Sequence, residues 1–233
     1  MDFTKRVVMS VLLGILAIAP CVGQDFNPPE EAGFFPIGWS EDGAAFAYGW
    51  FATSIMIQNS SHLQIVIQDL VTDEILWKGG ETWEESNVGG PEDTSPPAPR
   101  YPGKAWDLYY ETAAEALHAY GIMEEGGTPF TSSPLVEGDS LWAEIVLMGE
   151  DPVVGIPAGA FYEVYAYSAN RGEKRISGGE TAPDIEMEVA GYVVNPQGSR
   201  MAVVLQIVSF VSRYPVYEVI GCHLKAGFEA PMR

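Results

Sequence analysis

The chain reads FFPIGWSEDGAAFAYGWF at residues 34–51 and HLQIVIQDLVTDEILW at residues 62–77. The four residues Ser40 to Gly43 predict a turn, because Ser and Asp side chains bond to nearby backbone and Gly accepts a positive φ. After the turn, large aromatic and small residues alternate: Phe46, Ala47, Tyr48, Gly49 and Trp50. This two-residue period predicts a strand with an aromatic face and a small-residue face.

The second run alternates in the same way and predicts the next strands of a β-meander. Two glutamines, Gln64 and Gln68, lie opposite a face of three apolar side chains: Leu63, Ile65 and Ile67. The polar residues 72–74 predict a second turn, after which Ile75 starts a partner strand. We therefore expect a meander over about residues 34–79.

A weaker version of the pattern returns near the C-terminus, at residues 191–224. There Asn195 to Gly198 takes the place of Ser40 to Gly43, roughly 155 residues later, and strand-like runs follow. We interpret this as a second meander over about residues 185–226 and as an internal duplication of one sheet unit. Chance similarity between two hairpins is the alternative, since the two segments share only a turn and an alternation.

The first meander carries a resemblance to known proteins. FPIGWSEDG at residues 35–43, with IQDLVTDEILW at residues 67–77, resembles the strands of WD40-like and TolB-type β-propeller blades. It looks closer still to a group of uncharacterised secreted bacterial proteins. The resemblance implies blade-like sheets and implies no activity. A propeller needs at least four blades of roughly 40–45 residues each, and the middle of this chain lacks the blade pattern.

The hydrophobic period changes between residues 104 and 120. Six residues there fall at helical spacing and predict one amphipathic helix: Trp106, Tyr109, Ala113, Ala116, Leu117 and Tyr120. Gly121 is placed for a C-cap. Strand patterns follow without βα alternation. The sequence therefore predicts an α+β fold, a mainly antiparallel β-sheet built from two blade-like meanders with the helix packed on it.

Strand patterns recur in the second half of the chain, at residues 141–148, 160–167, 185–194, 201–210 and 216–224. Residues 201–208 are nearly all apolar, which is typical of a central strand buried on both faces. Residues 170–172 and 177–179 predict turns, because glycine and small polar residues interrupt strands.

Residues 1–23 have the pattern of a secretory signal peptide, with a positive start followed by thirteen apolar residues and a proline. The apolar run is too short to cross the roughly 30 Å hydrocarbon core of a bilayer as a helix. We expect cleavage after Gly23, which leaves one domain at residues 24–233 in the bacterial periplasm or outside the cell, with no membrane span. A lipid-anchored Cys21 ranks second, and an uncleaved anchor ranks third.

The chain carries 32 acidic and 12 basic side chains, and its formal net charge is −20. Nucleic acids and anionic membrane surfaces attract proteins of the opposite sign, so the charge argues against both as partners. The expected partner is a protein or a glycan. Cys222 is the cysteine that survives signal cleavage, and we expect a buried thiol, with an intermolecular disulfide as the alternative.

A break in the strand pattern spans residues 79–103, with acidic side chains first and five prolines after them. Such a segment buries little apolar area, so it predicts a mobile or extended connector. Trp83 lies in this connector and is the tryptophan that we expect to be exposed. Exposed aromatic rings suit glycan or peptide stacking. Trp83 is therefore the first candidate binding residue, and Trp39 and Asp42 are the others.

One pattern points to catalysis. Residues 138–141, Gly-Asp-Ser-Leu, spell the nucleophile block of GDSL-type esterases. That resemblance implies that Ser140 is a nucleophile whose base comes from a downstream D-x-x-H. The only later histidine is His223, and Ile220 stands where the aspartate belongs. A serine without an oriented base is a poor nucleophile, so we favour a turn that enters a strand.

The sequence contains no local metal or cofactor motif. The three histidines, His62, His118 and His223, are too scattered to form one. Five carboxylates of the predicted connector could gather Ca²⁺ through hard oxygen ligands: Glu81, Glu84, Glu85, Glu92 and Asp93. The D-x-D-x-D-G loop pattern is missing, so we predict no metal and no cofactor.

Two main functional hypotheses follow from these patterns, and a calcium-responsive acidic protein, which would gain thermal stability on adding Ca²⁺, is a weaker third. The first is a secreted, non-catalytic binding or assembly module. The second is a secreted hydrolase that uses Ser140 or carboxylates assembled by the fold. An enzyme should show a concave pocket with an activated group and its base, whereas a binding module should show an exposed aromatic patch or a free sheet edge. The missing base favours the first hypothesis.

Overall fold

The computed structural model describes residues 32–54, 60–84, 98–124, 130–132, 139–147, 160–168, 170–182, 185–209 and 215–229. Within these ranges the chain forms one helix, α1 (Pro102–Ala119), and twelve strands. The strands are β1 (Gly33–Ser40), β2 (Ala45–Ser54), β3 (Ser60–Asp69), β4 (Ile75–Glu84), β5 (Ile122–Glu124), β6 (Thr131–Ser132), β7 (Asp139–Leu147), β8 (Ala160–Ser168), β9 (Gly172–Thr181), β10 (Ile185–Val194), β11 (Arg200–Ser209) and β12 (Val216–His223). The predicted signal peptide lies outside the described residues.

The strands form three sheets, and every strand pairing in them is antiparallel. The first sheet has the order β4-β3-β2-β1-β5, the second β12-β11-β10-β6 and the third β7-β8-β9. Helix α1 packs on the first sheet. The predicted α+β class, with mainly antiparallel sheets and a packed helix, is therefore confirmed.

The alternation of β2 decides which neighbour covers each face of the first sheet. Its small residues Ala45 and Ala47 share a core with the helix residues Trp106 and Leu117. Small side chains on the sheet leave room for large ones on the helix, and such complementary packing keeps protein interiors dense. The apolar face of β3 joins the same core: Leu63, Ile65 and Ile67.

Helix α1 begins two residues before, and ends one residue before, the bounds that its sequence predicts. Pro102 occupies the first turn, where an N–H has no partner within the helix and proline therefore costs nothing. The apolar stripe faces the first sheet: Ala105, Trp106, Ala113, Ala116 and Leu117 are buried. Gly121 has a φ of 62° and donates its N–H to the carbonyl of His118, which confirms the predicted C-cap.

The second sheet covers the aromatic face of the first and is itself covered by the third. The core between the first and second sheets includes Trp39, Phe46, Tyr48, Val193, Ala202 and Val204. The core between the second and third includes Val164, Ala166, Met201, Val203 and Leu205. Strand β11 is therefore buried on both faces, as the apolar run at residues 201–208 predicts. The layers follow the order α1, first sheet, second sheet, third sheet.

The two meanders share the geometry of their first turn. Gly43 and Gly198 have φ values of 67° and 61°, and each donates its N–H to the carbonyl three residues earlier, on Ser40 and Asn195. The side-chain oxygens of Ser40 and Asn195 each accept the N–H five residues later, at 2.8 and 3.0 Å. The corresponding positions are 155 residues apart.

The strand register repeats as well. Trp39 pairs with Phe46 beside the first turn, and Val194 pairs with Met201 beside the second, again 155 residues apart. Each of these ladders contains one irregularity that shifts its register by a residue. The two irregularities lie two residues apart in equivalent numbering, between Pro36 and Gly38 and between Val189 and Gly191. Shared turn geometry and shared register beside the turn favour an internal duplication over a chance similarity of hairpins.

The equivalent turns contact each other. Asn195 donates a hydrogen bond through Nδ2 to the carbonyl of Gly43 at 3.4 Å, and Gln197 donates through Nε2 to the carbonyl of Glu41 at 3.0 Å. Asn195 is only 3% exposed. The two copies are therefore joined through their turns as well as through their shared core.

Two predictions of local structure are wrong. The predicted connector at 79–103 begins too early and ends too late, because β4 continues to Glu84 and α1 begins at Pro102. The predicted turn at 177–179 lies within β9. Glycine there serves close strand approach, since a Cβ on Gly178 would lie 2.8 Å from the carbonyl oxygen of Tyr162.

Candidate functional site

A cleft of about 330 Å³ opens where the three sheets meet. Strands β2, β3 and β4 of the first sheet form one wall, β12 of the second sheet forms another, and β8 and β9 of the third complete it. The lining residues are Tyr48, Trp50, Gln64, Val66, Gln68, Asp73, Ile75, Lys78, Tyr162, Ser177 and residues 216–220. A volume of this size is within the range of small-ligand sites.

Aromatic rings of different sheets border the cleft. The rings of Trp50 and Tyr217 lie 6.4 Å apart, and Trp50 also lies 4.8 Å from the ring of His62. Trp50 is buried, whereas Tyr162 and Tyr217 are half-buried and keep ring surface accessible. The cleft therefore offers apolar ring faces beside the polar tips of tyrosine, the combination that binding sites for amphipathic ligands use.

Gln68 connects the first and second sheets at the base of the cleft. Its Nε2 donates to the carbonyl of Val219 in β12 at 2.9 Å, and its Oε1 accepts from the Tyr48 hydroxyl at 3.4 Å. Gln68 is 4% exposed, so both polar ends need these partners. Burial raises the pKa of Tyr48, and the Glu218 carboxylate raises it further, so the phenol stays protonated and can donate.

Asp73 makes a second connection. Its φ of 60° lies in the left-handed region, which aspartate adopts more readily than most residues. In this conformation Oδ1 accepts the N–H of Gly221 at 2.7 Å. Burial raises the pKa of Asp73, the Gly221 hydrogen bond lowers it, and Asp69 raises it. A carboxylate thus caps a backbone group of β12 although burial disfavours its charge.

The turn between β3 and β4 rests directly on β12. A Cβ on Gly221 would lie 2.1 Å from the carbonyl oxygen of Leu70, so only glycine fits at this crossing. The same carbonyl accepts from Nη1 of Arg200 at 3.3 Å. The position of β12 relative to the first sheet, and hence the width of the cleft, is therefore set by backbone contact.

Trp39 and Asp42 lie away from the cleft. Trp39 has no exposed area and packs in the core between the first and second sheets, 4.6 Å from the ring of Phe46. Asp42 is exposed in the first turn, and its Oδ1 accepts from the Ser40 hydroxyl and from the Ala44 N–H. These bonds lower its pKa and form the turn. In this structure Trp39 is a core residue between the first and second sheets, and Asp42 stabilises the first turn.

Trp83 differs from the expectation of an exposed ring. It is half-buried on β4 and packs against the core between α1 and the first sheet. The physical reason is that β4 extends beyond the predicted start of the connector, so Trp83 takes a strand position with a covered face. The structure brings none of the three predicted binding residues to the cleft.

Ser140 is the second residue of β7, and its backbone pairs with Tyr167 of β8. Its side chain lies outside the described part of the structure. His223 lies at the end of β12, where its carbonyl accepts from Lys174. The described residues therefore give Ser140 a strand position and no assigned role.

The described ranges contain no cluster of metal ligands and no accessible thiol. No group of three or more His, Cys, Asp and Glu side chains in those ranges is placed to hold a metal ion. Glu81 and Glu84 lie exposed on β4, while Glu85, Glu92 and Asp93 lie outside the described residues. Cys222 is buried, which raises its pKa and agrees with the expected buried thiol.

The cleft residues could not be identified from the sequence, because the fold brings them together from distant segments. They come from separate strands of three sheets, and no local spacing relates Lys78, Tyr162 and Tyr217. The available signal was the pair Gln64 and Gln68, two amides on the face of β3 that opposes its apolar residues. Buried amides need hydrogen-bond partners, so such a pair indicates a strand face that contacts polar groups as well as apolar side chains.

Comparisons with known proteins give no relative. The chain matches no protein-family model, no curated protein and no solved structure. Among the described residues, no helix is both long enough and apolar enough to cross a membrane.

Proposed function

We propose that the protein is a non-catalytic binding or assembly module of the bacterial periplasm or exterior, and that its ligand occupies the cleft between the three sheets. The observation that carries this proposal is the cleft itself, with aromatic rings and fixed polar groups converging from three layers. Pockets that combine apolar surface with a few oriented polar groups are the usual form of a binding site. A protein or glycan ligand fits this chemistry.

The polar groups of the lining favour binding over catalysis. Gln68 is committed to Val219 and Tyr48, and Asp73 is committed to the Gly221 N–H. Among the described residues that line the cleft, none is a histidine or a cysteine, and the serine is Ser177. A hydrolase would need an activated nucleophile or a carboxylate that transfers protons, and Glu218 is the carboxylate of the lining that the Glu218→Gln variant tests for that role.

The overall charge restricts the partner. A net charge of −20 disfavours nucleic acids and anionic membranes, which leaves neutral glycans and neutral or basic protein segments. Near the cleft the charge is mixed, since Lys78 lines it together with Asp73 and Glu218. The site therefore suits a ligand that is mostly uncharged or that carries a positive group.

A blocking variant tests the proposal. Ser177→Trp places a large ring in the cleft, whereas Glu180→Trp adds the same ring to an exposed position of β9 and is the matched control. The purified proteins are screened against a random heptapeptide library and a glycan array, after circular dichroism shows that they fold alike. We expect saturable binding that Ser177→Trp abolishes and Glu180→Trp retains.

Two results would contradict the proposal. One is that neither library yields a ligand whose binding depends on Ser177→Trp. The other is turnover of ester or glycoside substrates by the wild-type protein that Glu218→Gln abolishes, because that would make the cleft an active site.

A further inference from the structure

The two copies of the meander differ at one edge. In the first sheet, β3 is followed by a fourth strand, β4, which pairs with it through nine residue pairs. In the second sheet, β12 corresponds to β3, and it is the edge strand of its sheet in the described part of the structure. The cleft runs along this edge, because residues 216–220 of β12 all line it.

The backbone of β12 turns every second residue towards the cleft side. The N–H of Leu224 donates to the carbonyl of Ser199, so the even-numbered residues of β12 are those that hydrogen-bond to β11. The backbone N–H and C=O groups of residues 217, 219, 221 and 223 therefore point away from β11. Three of the outward groups are capped by side chains: Gln68 donates to Val219, Asp73 accepts from Gly221, and Lys174 donates to His223.

Near the N-terminal end of β12, outward backbone groups have no side-chain cap among the described residues. Among the described residues, none hydrogen-bonds to the N–H or the carbonyl of Tyr217 or to the N–H of Val219. Free edge groups of this kind are templates for an additional strand, and proteins normally cover them or protect them with charge. The carbonyls of Val219 and His223 and the N–H of Gly221 follow that rule, whereas the N–H and carbonyl of Tyr217 and the N–H of Val219 depart from it.

The neighbouring layers form the two sides of a slot beside β12. Val66 and Lys78 pair across β3 and β4 and face the second sheet, so they form one side. Tyr162 and Ser177 of the third sheet form the other. A strand placed next to β12 would therefore lie between two existing sheets, in the position that β4 holds in the first sheet.

We propose that the cleft binds an extended peptide segment of a partner protein, which adds to β12 as the fourth strand of the second sheet. This inference rests on the proposed binding function and specifies its ligand. Main-chain hydrogen bonds to Tyr217 and Val219 supply the affinity, and alternate side chains of the peptide contact the two sides of the slot, as in other cases of β-strand addition.

The slot determines what the segment must look like. Residues 216–220 span about 13–17 Å at roughly 3.3 Å per residue, so four or five peptide residues engage the edge. Side chains opposite Tyr217 and Val219 meet Val66 and Trp50, which favours apolar residues. Side chains opposite Glu218 face a carboxylate in a strongly acidic protein, which favours lysine or arginine.

The test uses peptides selected from a phage-displayed random heptapeptide library on the purified protein. Each selected peptide is synthesised with single N-methyl groups along its backbone, because N-methylation removes one N–H donor at a time. Strand addition predicts a two-residue period, with affinity lost at least about tenfold at alternate positions and changed less than about threefold between them. Hydrogen exchange at the N–H of Tyr217 and Val219 should slow on binding, while exchange at Gly221 stays unchanged.

The outcomes separate this inference from the proposed function. Peptides that bind with the two-residue period, and whose binding Ser177→Trp abolishes and Glu180→Trp retains, support it. Peptides that bind without the period overturn strand addition. Glycan ligands blocked by Ser177→Trp, with no peptide selected, overturn it but leave the binding function standing. Selection of no cleft-dependent ligand from either library overturns both.

Discussion

The two meanders of this protein share a turn and the strand register beside it, and they differ in what surrounds them. In the first copy, a helix covers one face and a fourth strand completes the edge. In the second copy, sheets cover both faces and the edge strand β12 borders a cleft. Local sequence therefore specifies the hairpin, whereas the neighbouring layers determine which faces and edges remain accessible to a ligand.

Truncation of equivalent core residues in the two copies is expected to cause the largest loss of stability. Phe46 and its counterpart Met201 are both essentially fully buried, but in different interlayer cores. We expect Phe46→Ala to lower the free energy of unfolding by about 3–5 kcal/mol and Met201→Ala by about 2–5 kcal/mol, since each leaves a cavity. Urea denaturation followed by tryptophan fluorescence and by circular dichroism measures both.

The same experiment asks whether the copies fold together. Because the first and second sheets share a core, we expect a single transition that shifts in both variants, with the two probes coinciding. Two separate transitions, each sensitive to one variant only, would show that the copies are independent units.

The equivalent glycines of the turns provide a matched pair. Gly43→Ala and Gly198→Ala each place a Cβ at positive φ, which costs roughly 1–2 kcal/mol. A Cβ on Gly43 would also lie 2.6 Å from Nδ2 of the buried Asn195, whereas a Cβ on Gly198 has no atom within 4 Å. We therefore expect Gly43→Ala to lose about 1 kcal/mol more than Gly198→Ala in urea denaturation. Equal losses would mean that the turn-to-turn contact adds no strain.

Two glutamines of β3 test the connection between the sheets. Gln68 is buried and bridges to β12, whereas Gln64, on the same face, is half-buried and donates to Gly79 within the first sheet. We expect Gln68→Ala to cost about 1–3 kcal/mol, because it leaves the Val219 carbonyl without its partner, and Gln64→Ala to cost less than about 1 kcal/mol. Thermal unfolding of the two variants compares them. A larger loss for Gln64→Ala would contradict the bridging role.

Much of the fold could be predicted from the sequence because its determinants are local. The alternation at residues 45–50 specified the two faces of β2, the helical period placed α1 within two residues, and glycine chemistry marked Gly43, Gly121 and Gly198. Strand β9 was missed because its glycines read as a turn, although they serve close packing against β8. Local patterns cannot distinguish those two uses of glycine.

The candidate site could not be predicted because it exists only between layers. Lys78, Ser177 and Glu218 become neighbours of one cleft through the stacking of three sheets, and stacking has no signature in sequence spacing. The same stacking determines where the aromatic candidates lie. Trp39 and Trp83 resemble ligand-binding residues in isolation, yet both lie on strand faces that a neighbouring layer covers.

The smallest expected effect concerns the charge on Asp73, which caps the edge of β12. Its pKa is raised in the folded protein, so folding favours its protonated form, and the penalty on its charge appears as pH rises through the folded-state pKa. Asp73→Asn retains an oxygen for the Gly221 N–H and suits the φ of 60°. Relative to wild type, we expect the variant to gain less than about 1 kcal/mol at pH 7 and nothing below the ordinary aspartate pKa. Thermal unfolding between pH 3 and pH 7 checks this, and a variant less stable than wild type at pH 7 would show that the charge strengthens the cap.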